Sequence, residues 1–419
     1  MARRAFPLLS QWASRVFAVE LNGAPFYFTI QDKIRGPEEV PRVFSEVHSS
    51  NRCYSVLICG INRVRKAQFY GQLRDKLLRD LPPECDLSPM CSYLPNVRGS
   101  VVKGYFLTDN SESPSSTERL LRDLLQRDPV MVCSYLRAEE GPLWTQHLWA
   151  SVGKGDRGFY FVVPSDEPQQ HPSVHSIYNT DVFYSFEEAR QVLKECADII
   201  PEATSVLELL PSRAATARNK PDFPVVVIEG LDATGKTTLT ESLRDSLGAT
   251  LLRSPPQCLS PWRARFDQEP PLIRRAFYAL GNYITAEQME QEATNAPVIV
   301  DRFWHSTASY AIATAVSGPV SSLPAEGSEL YRWPSDLVQP SLVVVLTLDP
   351  EERKRRLRVR GQGKTEEEKE LDHNHLFRLR VEEAYRRISG PACITVDASP
   401  SADQVLQQVL LLIRGKCHL

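Results

Sequence analysis

The pattern of hydrophobic and polar positions divides the chain into two halves. In the first half, short apolar segments typical of strands, such as Val16–Leu21 and Tyr54–Ile61, are mixed with amphipathic helical segments such as Phe186–Ile199. In the second half, short apolar strands alternate regularly with helical segments; the predicted strands are Pro224–Glu229, Pro297–Val300, Ser341–Leu348 and Ala392–Val396. This alternation predicts an α/β fold in which a parallel sheet is flanked by helices.

A polar segment with proline at both ends separates the halves. It runs from Pro211 to Pro224 and contains small and charged residues. We therefore predict a linker over residues 213–222, a separate mixed α/β or α+β domain over residues 16–212, and an α/β domain over residues 223–419. The first domain carries no motif to which a chemistry can be assigned.

Composition excludes several classes of protein. The chain has 419 residues, with 49 Lys and Arg against 52 Asp and Glu, so its net charge is −3. A dedicated nucleic-acid binder usually has a strong basic excess, so we expect no nucleic-acid partner. No apolar run approaches 18 residues, so no membrane span is expected. The nine cysteines are scattered without a Cys-x-x-Cys pair, which indicates reduced thiols.

The first fifteen residues have the composition of a mitochondrial transit segment. They include Arg3, Arg4 and Arg15, and no acidic residue precedes Glu20. The alternative is a basic start that runs directly into the first strand. We predict a transit segment over residues 1–15 and a mitochondrial location.

The clearest chemical signal follows the first strand of the second half. Residues 230–237 match G-x-x-x-x-G-K-[ST], the phosphate-binding P-loop, between a strand and a helix. Backbone N–H groups and the helix N-terminus would hold the phosphates of ATP, Lys236 would neutralise them, and the Thr237 hydroxyl would bind Mg²⁺. The predicted ATP-binding residues are Gly230, Leu231, Asp232, Ala233, Thr234, Gly235, Lys236, Thr237 and Thr238.

A GTPase is the main alternative for a P-loop. Residues 219–222, Asn-Lys-Pro-Asp, look like the base-reading motif of that class. They lie only a few residues before Gly230, with no room for the strand and helix that must intervene. We interpret them as part of the linker.

Two further motifs favour phosphoryl transfer. Asp301 and Arg302 end an apolar strand, where Asp301 could hold Mg²⁺ and Arg302 could grip a phosphate. A basic segment then contains Arg356, Arg358 and Arg360 and closes on a Gly-x-Gly. It has the composition of a mobile lid, whose arginines would neutralise the transferred phosphoryl group. The alternatives are a solvated helix face or a nucleic-acid patch.

Together, the P-loop, the Asp-Arg pair and the basic lid resemble the thymidylate kinase family of nucleoside monophosphate kinases. The resemblance covers residues 223–419. It implies that Asp232 and Arg302 contact the acceptor nucleotide, that Phe277 or Tyr278 stacks on its base, and that a lid arginine is catalytic. It also implies Mg²⁺ with ATP as donor. Either aromatic residue could instead belong to a helix core, and the oligomeric state stays open, with a homodimer among the alternatives.

The chain departs from the family at two positions. Asn282 stands where the family commonly has the arginine that reads thymine, and Gln257 stands where it commonly has a phosphate-binding arginine that Arg263 or Arg265 could replace. Since an amide both donates and accepts hydrogen bonds, we hypothesise that Asn282 lets a pyrimidine pocket accept CMP and UMP. With the extra first half and the Arg-rich start, these departures resemble a mitochondrial branch that phosphorylates CMP, UMP, dCMP and dUMP. The alternatives are a kinase of dTMP and a nucleotide-binding interaction protein.

Overall fold

The structure is a computed structural model that describes residues 11–33, 40–45, 52–111, 114–138, 143–149, 158–165, 171–212, 222–360 and 374–417. The chain forms two compact units, Met1–Ser176 and Ile177–Leu419. Within the described ranges, no helix is both long and apolar enough to cross a membrane.

The first unit is built around a closed barrel of eight antiparallel strands. The strands are β1 (Val16–Leu21), β2 (Ala24–Gln31), β3 (Arg52–Ile58), β4 (Cys85–Tyr93), β5 (Val102–Asp109), β6 (Val130–Arg137), β7 (Trp144–Leu148) and β8 (Phe159–Pro164). Their order around the barrel is β1-β2-β8-β7-β6-β3-β5-β4. The helices are α1 (Arg42–Ser45), α2 (Arg63–Asp80) and α3 (Pro114–Arg127), and a short α4 (Val174–Ile177) follows the barrel. Of the two fold classes expected for this half, the antiparallel barrel with separate helices corresponds to α+β.

The end of the predicted transit segment is part of this barrel. Trp12 is 1% exposed, and its indole Nε1 donates to Gln146 Oε1 at 2.7 Å. Arg15 is also buried and donates to the backbone carbonyl of Ser92 at 2.8 Å. Residues 1–10 lie outside the described part of the chain. A transit segment that ended at residue 15 would therefore remove a core tryptophan of the barrel.

The second unit contains the parallel sheet that the sequence predicts. Its strands are β9 (Val225–Gly230), β10 (Thr250–Arg253), β11 (Val298–Asp301), β12 (Leu342–Thr347) and β13 (Cys393–Asp397), in the order β10-β11-β9-β12-β13. All four neighbouring pairs are parallel. The helices are α5 (Phe186–Cys196), α6 (Glu202–Glu208), α7 (Lys236–Leu247), α8 (Ser260–Asp267), α9 (Pro271–Glu292), α10 (Trp304–Ala315), α11 (Pro350–Arg360), α12 (His375–Arg387) and α13 (Ala402–Cys417).

The division between the units falls earlier in the chain than the predicted linker. Helix α5, which we assigned to the first domain, packs on α9 of the second unit: the rings of Phe186 and Tyr283 lie 5.2 Å apart. Asp336 joins the same contact, because it accepts hydrogen bonds from the Phe186 backbone N–H and the Tyr283 hydroxyl. An amphipathic helix shows in its sequence that it has a partner, but not which one. Residues 213–221 lie outside the described part.

Candidate functional site

The P-loop joins β9 to α7 through backbone conformations that favour glycine. Gly230 has φ +133°, and a Cβ at this position would lie 2.5 Å from the carbonyl oxygen of Leu346 on the neighbouring strand. Gly235 has φ +90° and caps the N-terminus of α7. Ala233, between them, also has a positive φ. The loop therefore needs its glycines to pass close to β12 and to present its N–H groups ahead of the helix.

Lys236 is folded into the loop. Its Nζ donates to the carbonyl oxygen of Leu231 at 2.7 Å, and the Thr234 hydroxyl donates to the same oxygen at 2.9 Å. Burial lowers the pKa of Lys236 to about 7; repulsion by Arg302 acts in the same direction, and Asp232 partly offsets both. A bound anion would raise the pKa of Lys236 again and so favour its charged form.

Asp232 and Arg302 form an ion pair beside the loop. Arg302 Nη2 donates to Asp232 Oδ1, and Arg302 Nη1 donates to the Ser306 hydroxyl at 3.2 Å. Burial alone would raise the pKa of Asp232, but the charges of Arg302, Lys236 and Arg353 outweigh it and lower that pKa. Arg302 has φ +67°, a conformation that is strained for a side chain of this size. Strain of this kind is typical of a functional position.

Glu229 holds the start of α10 and the groups around Arg302 in place, a role that we did not predict from the sequence. It is completely buried, and its Oε1 accepts from the backbone N–H groups of Phe303 and Ser306 at 2.8 and 3.1 Å. Its Oε2 accepts from the hydroxyls of Ser306 and Tyr385. Burial raises its pKa, although these hydrogen bonds favour the charged form. Glu229 therefore fixes the start of α10 and, through Ser306, the guanidinium of Arg302.

The lid arginines occupy different places on α11. Arg356 lies next to the P-loop, since its Nη1 is 3.9 Å from the Cβ position of Gly235, and it donates to the backbone carbonyl of Ala398. Arg358 is exposed. The side chain of Arg360 and residues 361–373 lie outside the described part. Arg353, which we did not single out, is 1% exposed and donates to the carbonyl oxygen of Asp232 at 3.1 Å.

Lys236, Asp232, Arg302 and Arg356 face one cleft of about 730 Å³. On the P-loop side it is lined by Asp232, Ala233, Gly235, Lys236, Thr237, Thr238, Asp301, Arg302 and Arg356. Asp301 is the last residue of β11 and Arg253, also at the cleft, is the last of β10, so the carboxyl ends of neighbouring strands bring them together. Thr237 and Asp301 offer a hydroxyl and a carboxylate. These oxygen donors suit Mg²⁺, which commonly takes one or two protein ligands and completes its shell with phosphate and water.

Three predicted ATP-binding residues, Gly230, Leu231 and Thr234, do not line this cleft. Leu231 and Thr234 are buried and line a smaller cavity of about 100 Å³ with Gly230. Leu231 serves the loop through its carbonyl oxygen, which holds Lys236 and Thr234. These residues therefore shape the loop and do not line the cleft.

On its other side, the cleft is lined by residues of β10, α8, α9 and α10. Tyr278 lies at the cleft and donates to Asp267 at 2.6 Å, whereas Phe277 is completely buried and stacks on Phe266 at 4.5 Å. The structure therefore separates the two aromatic candidates and places Phe277 in the helix core.

The positions at which the chain departs from the family, and the arginines near them, differ in whether they line the cleft. Gln257 and Arg263 line the cleft, whereas Arg265 pairs with Glu269. Arg275, which we had not considered, also lines it. Asn282 is 1% exposed and lies behind the wall. Asn282, which we predicted to help bind the acceptor, is therefore not part of the cleft lining.

Comparison with known proteins identifies the family. The chain is 45% identical over 389 residues to "UMP-CMP kinase 2, mitochondrial" of Homo sapiens, an alignment that spans 90% of this chain and 86% of the relative. The family model "Thymidylate kinase" matches residues 228–409, which include the P-loop, the Asp-Arg pair and the lid helix. The chain belongs to the thymidylate kinase family. The predicted nucleoside monophosphate kinase, and with it the P-loop kinase fold, is thereby confirmed.

Other members of the thymidylate kinase family match less of the chain. A probable thymidylate kinase of Picrophilus torridus is 26% identical over 131 residues, which is 30% of this chain and 62% of that protein. The structure of thymidylate kinase from Candida albicans is 20% identical, with a TM-score of 0.36, and covers 46% of this chain and 92% of its own.

Proposed function

We propose that this kinase transfers the γ-phosphoryl group of ATP to CMP, UMP, dCMP and dUMP. The observation that carries the proposal is that Lys236, Arg302 and Arg356 face the same cleft as Tyr278 and the hydroxyls of α10. Cations and a nucleoside-sized pocket thus share one space, as a transfer between two nucleotides requires. The pyrimidine acceptors are suggested by the name of the human relative, UMP-CMP kinase 2.

The residues present can account for the reaction by positioning and charge neutralisation. The P-loop backbone from Gly230 to Thr238 holds the ATP phosphates, and Lys236 spans towards the group in transfer. Arg302 leaves Asp232 in part to meet the acceptor phosphate, and Arg356 neutralises charge from the lid side. Arg358 and Arg360, further along the lid helix, are the other lid candidates. Mg²⁺, when bound by Thr237 and Asp301, would screen charge between the phosphates.

The acceptor would lie on the α9 side of the cleft. Tyr278 offers a ring face to the base, and Asp232 lies beside Arg302 near the sugar and phosphate. Arg253 and Arg263 supply positive charge where the family arginine is replaced by Gln257. A kinase restricted to dTMP is the alternative, and the acceptor series below separates the two.

The test is coupled ADP release by the full chain with ATP and Mg²⁺. CMP, UMP, dCMP, dUMP, dTMP and AMP are supplied one at a time, and Lys236→Ala is compared with Lys354→Ala. Lys354 lies on the lid helix, is partly exposed and pairs with the exposed Glu351, so its loss should leave turnover within about twofold. Lys236→Ala should reduce turnover by at least about 100-fold. Preference for dTMP, or equal loss in both variants, would overturn the proposal.

We also propose that the chain acts in mitochondria, because its human relative is named as a mitochondrial kinase. The transit segment would then end before Trp12, because Trp12 belongs to the barrel core. N-terminal sequencing of the protein recovered from mitochondria tests this. A mature protein that begins after Arg15, or one that stays outside mitochondria, would contradict it.

A further inference from the structure

Asn282 controls two hydroxyl groups that face the cleft. Its side chain is 1% exposed and is held on both sides: the Ser254 hydroxyl donates to Oδ1 at 2.8 Å, and Nδ2 donates to the Thr307 hydroxyl at 3.1 Å. Ser254 and Thr307 both line the cleft, as does Tyr278, one helical turn before Asn282. The amide thus sits behind the wall, and its two partners form part of it.

This arrangement fixes the polarity of both hydroxyls. A hydroxyl has one proton to donate and two lone pairs that accept. Ser254 uses its proton on Asn282, so towards the cleft it can only accept. Thr307 accepts from Asn282, so its proton remains available to the cleft. The wall therefore presents one acceptor and one donor.

A rotation of the Asn282 amide by about 180° reverses this pattern. Nδ2 would then donate to Ser254, and Thr307 would donate to Oδ1. Both internal hydrogen bonds survive, because the amide oxygen and nitrogen have nearly the same shape. Ser254 then becomes the donor towards the cleft, and Thr307 the acceptor.

Cytosine and uracil differ by the same reversal. Cytosine has an accepting N3 beside a donating 4-amino group, whereas uracil has a donating N3–H beside an accepting 4-oxo group. We propose that Asn282 is a positioning residue that lets one pocket accept both bases, by reversing the polarity of Ser254 and Thr307 through an amide flip. Arginine, which only donates, could not support both patterns. This inference rests on the proposed function.

The first test replaces the amide by a group that cannot reverse. In Asn282→Asp, an ionised carboxylate only accepts, so both hydroxyls point inward and both present lone pairs to the cleft. Cytosine then meets a lone pair with N3, and uracil meets one with its 4-oxo group, so each base keeps one matched contact and loses the other. The values of kcat/KM for CMP and for UMP should therefore both fall at least about tenfold. In Asn282→Leu, which has a similar shape and no polarity, both hydroxyls can turn to suit either base, so both values should fall by less than in Asn282→Asp. A folded Asn282→Asp protein that keeps the wild-type kcat/KM for either substrate would overturn the proposal.

The second test uses the wild-type protein and does not depend on a variant that folds. In a deuterated sample with labelled asparagine, the side-chain amide protons of Asn282 should show nuclear Overhauser effects to Thr307 in one complex, with CMP or UMP, and to Ser254 in the other. The same neighbour in both complexes would refute the flip. If the wild type phosphorylates neither CMP nor UMP, the proposed function fails and the inference falls with it; if it phosphorylates both and the neighbour is unchanged, only the inference fails.

Discussion

The charge of Lys236 should couple ATP binding to proton uptake. Burial lowers the pKa of this lysine to about 7, so at pH 8 roughly one molecule in eleven carries the proton. The ATP phosphates should return the pKa towards its ordinary value of about 10.4. Binding at pH 8 should then take up roughly 0.9 proton per ATP, against roughly 0.1 at pH 6. By linkage, ATP affinity should fall roughly 50-fold from pH 7 to pH 9.

Calorimetric titration with MgATP in buffers of different ionisation enthalpy measures this uptake. At pH 8 the phosphates themselves are ionised, since their last pKa is about 6, so they add little. Lys236→Arg is the matched control, because an arginine keeps its charge and should bind without uptake. If the wild type takes up no more protons than Lys236→Arg at pH 8, the lysine is charged in the free protein. The account of its burial would then be wrong.

Three further predictions concern stability. Gly230→Ala should lower the free energy of unfolding by about 3 kcal/mol or more, because its Cβ would strike a backbone oxygen. The control Gly248→Ala, at φ +57° with no atom within 4 Å, should lower it by about 1 kcal/mol, and equal losses in urea titrations would contradict the argument. Burial lowers the pKa of His305 to about 4, so the free energy of unfolding should fall by about 3 kcal/mol as the pH drops from above 6.5 towards 4. The variant His305→Phe should lose this dependence, and a wild type as stable at pH 4 as at pH 7 would contradict the argument. Trp12→Ala should destabilise the barrel by about 3–5 kcal/mol, because Trp12 is buried in its core. Substitution of the neighbouring exposed residue, Gln11→Ala, should have little effect. Equal melting temperatures of the two variants would show that the barrel does not need Trp12.

The sequence predicted those parts of the site that a local motif carries. The P-loop can be recognised in the sequence because its glycines, lysine and threonine must stand at fixed spacings between a strand and a helix. Asp301 and Arg302 were found because they end an apolar strand. Arg253 was missed for the converse reason: β10 has only four residues, Thr250–Arg253, none of which is fully buried, so it has little of the apolar signature of its neighbours.

Other features were missed because they depend on tertiary contacts. Glu229 stands in a buried strand like any other residue of its motif, and its role appears only when α10 and Tyr385 are brought against it. The barrel was equally hidden, since antiparallel strands of five to nine residues give no sign of which pairs close the sheet. The division at Ser176 depends on where α5 packs, which its own amphipathic pattern does not specify.

The basic groups of the site are bonded to other groups of the chain, and this affects what the site can bind. Lys236 donates to the carbonyl oxygen of Leu231, Arg302 donates to Asp232, and Arg356 donates to the carbonyl oxygen of Ala398, so each of these three basic groups already has a partner. A nucleotide must displace these contacts before it gains its own. Phosphate oxygens can do so because they carry charge and accept several hydrogen bonds at once, whereas an uncharged nucleoside replaces none of them. Such a site should therefore discriminate strongly for phosphorylated ligands, although each of its cations contributes less to affinity than its charge alone would suggest.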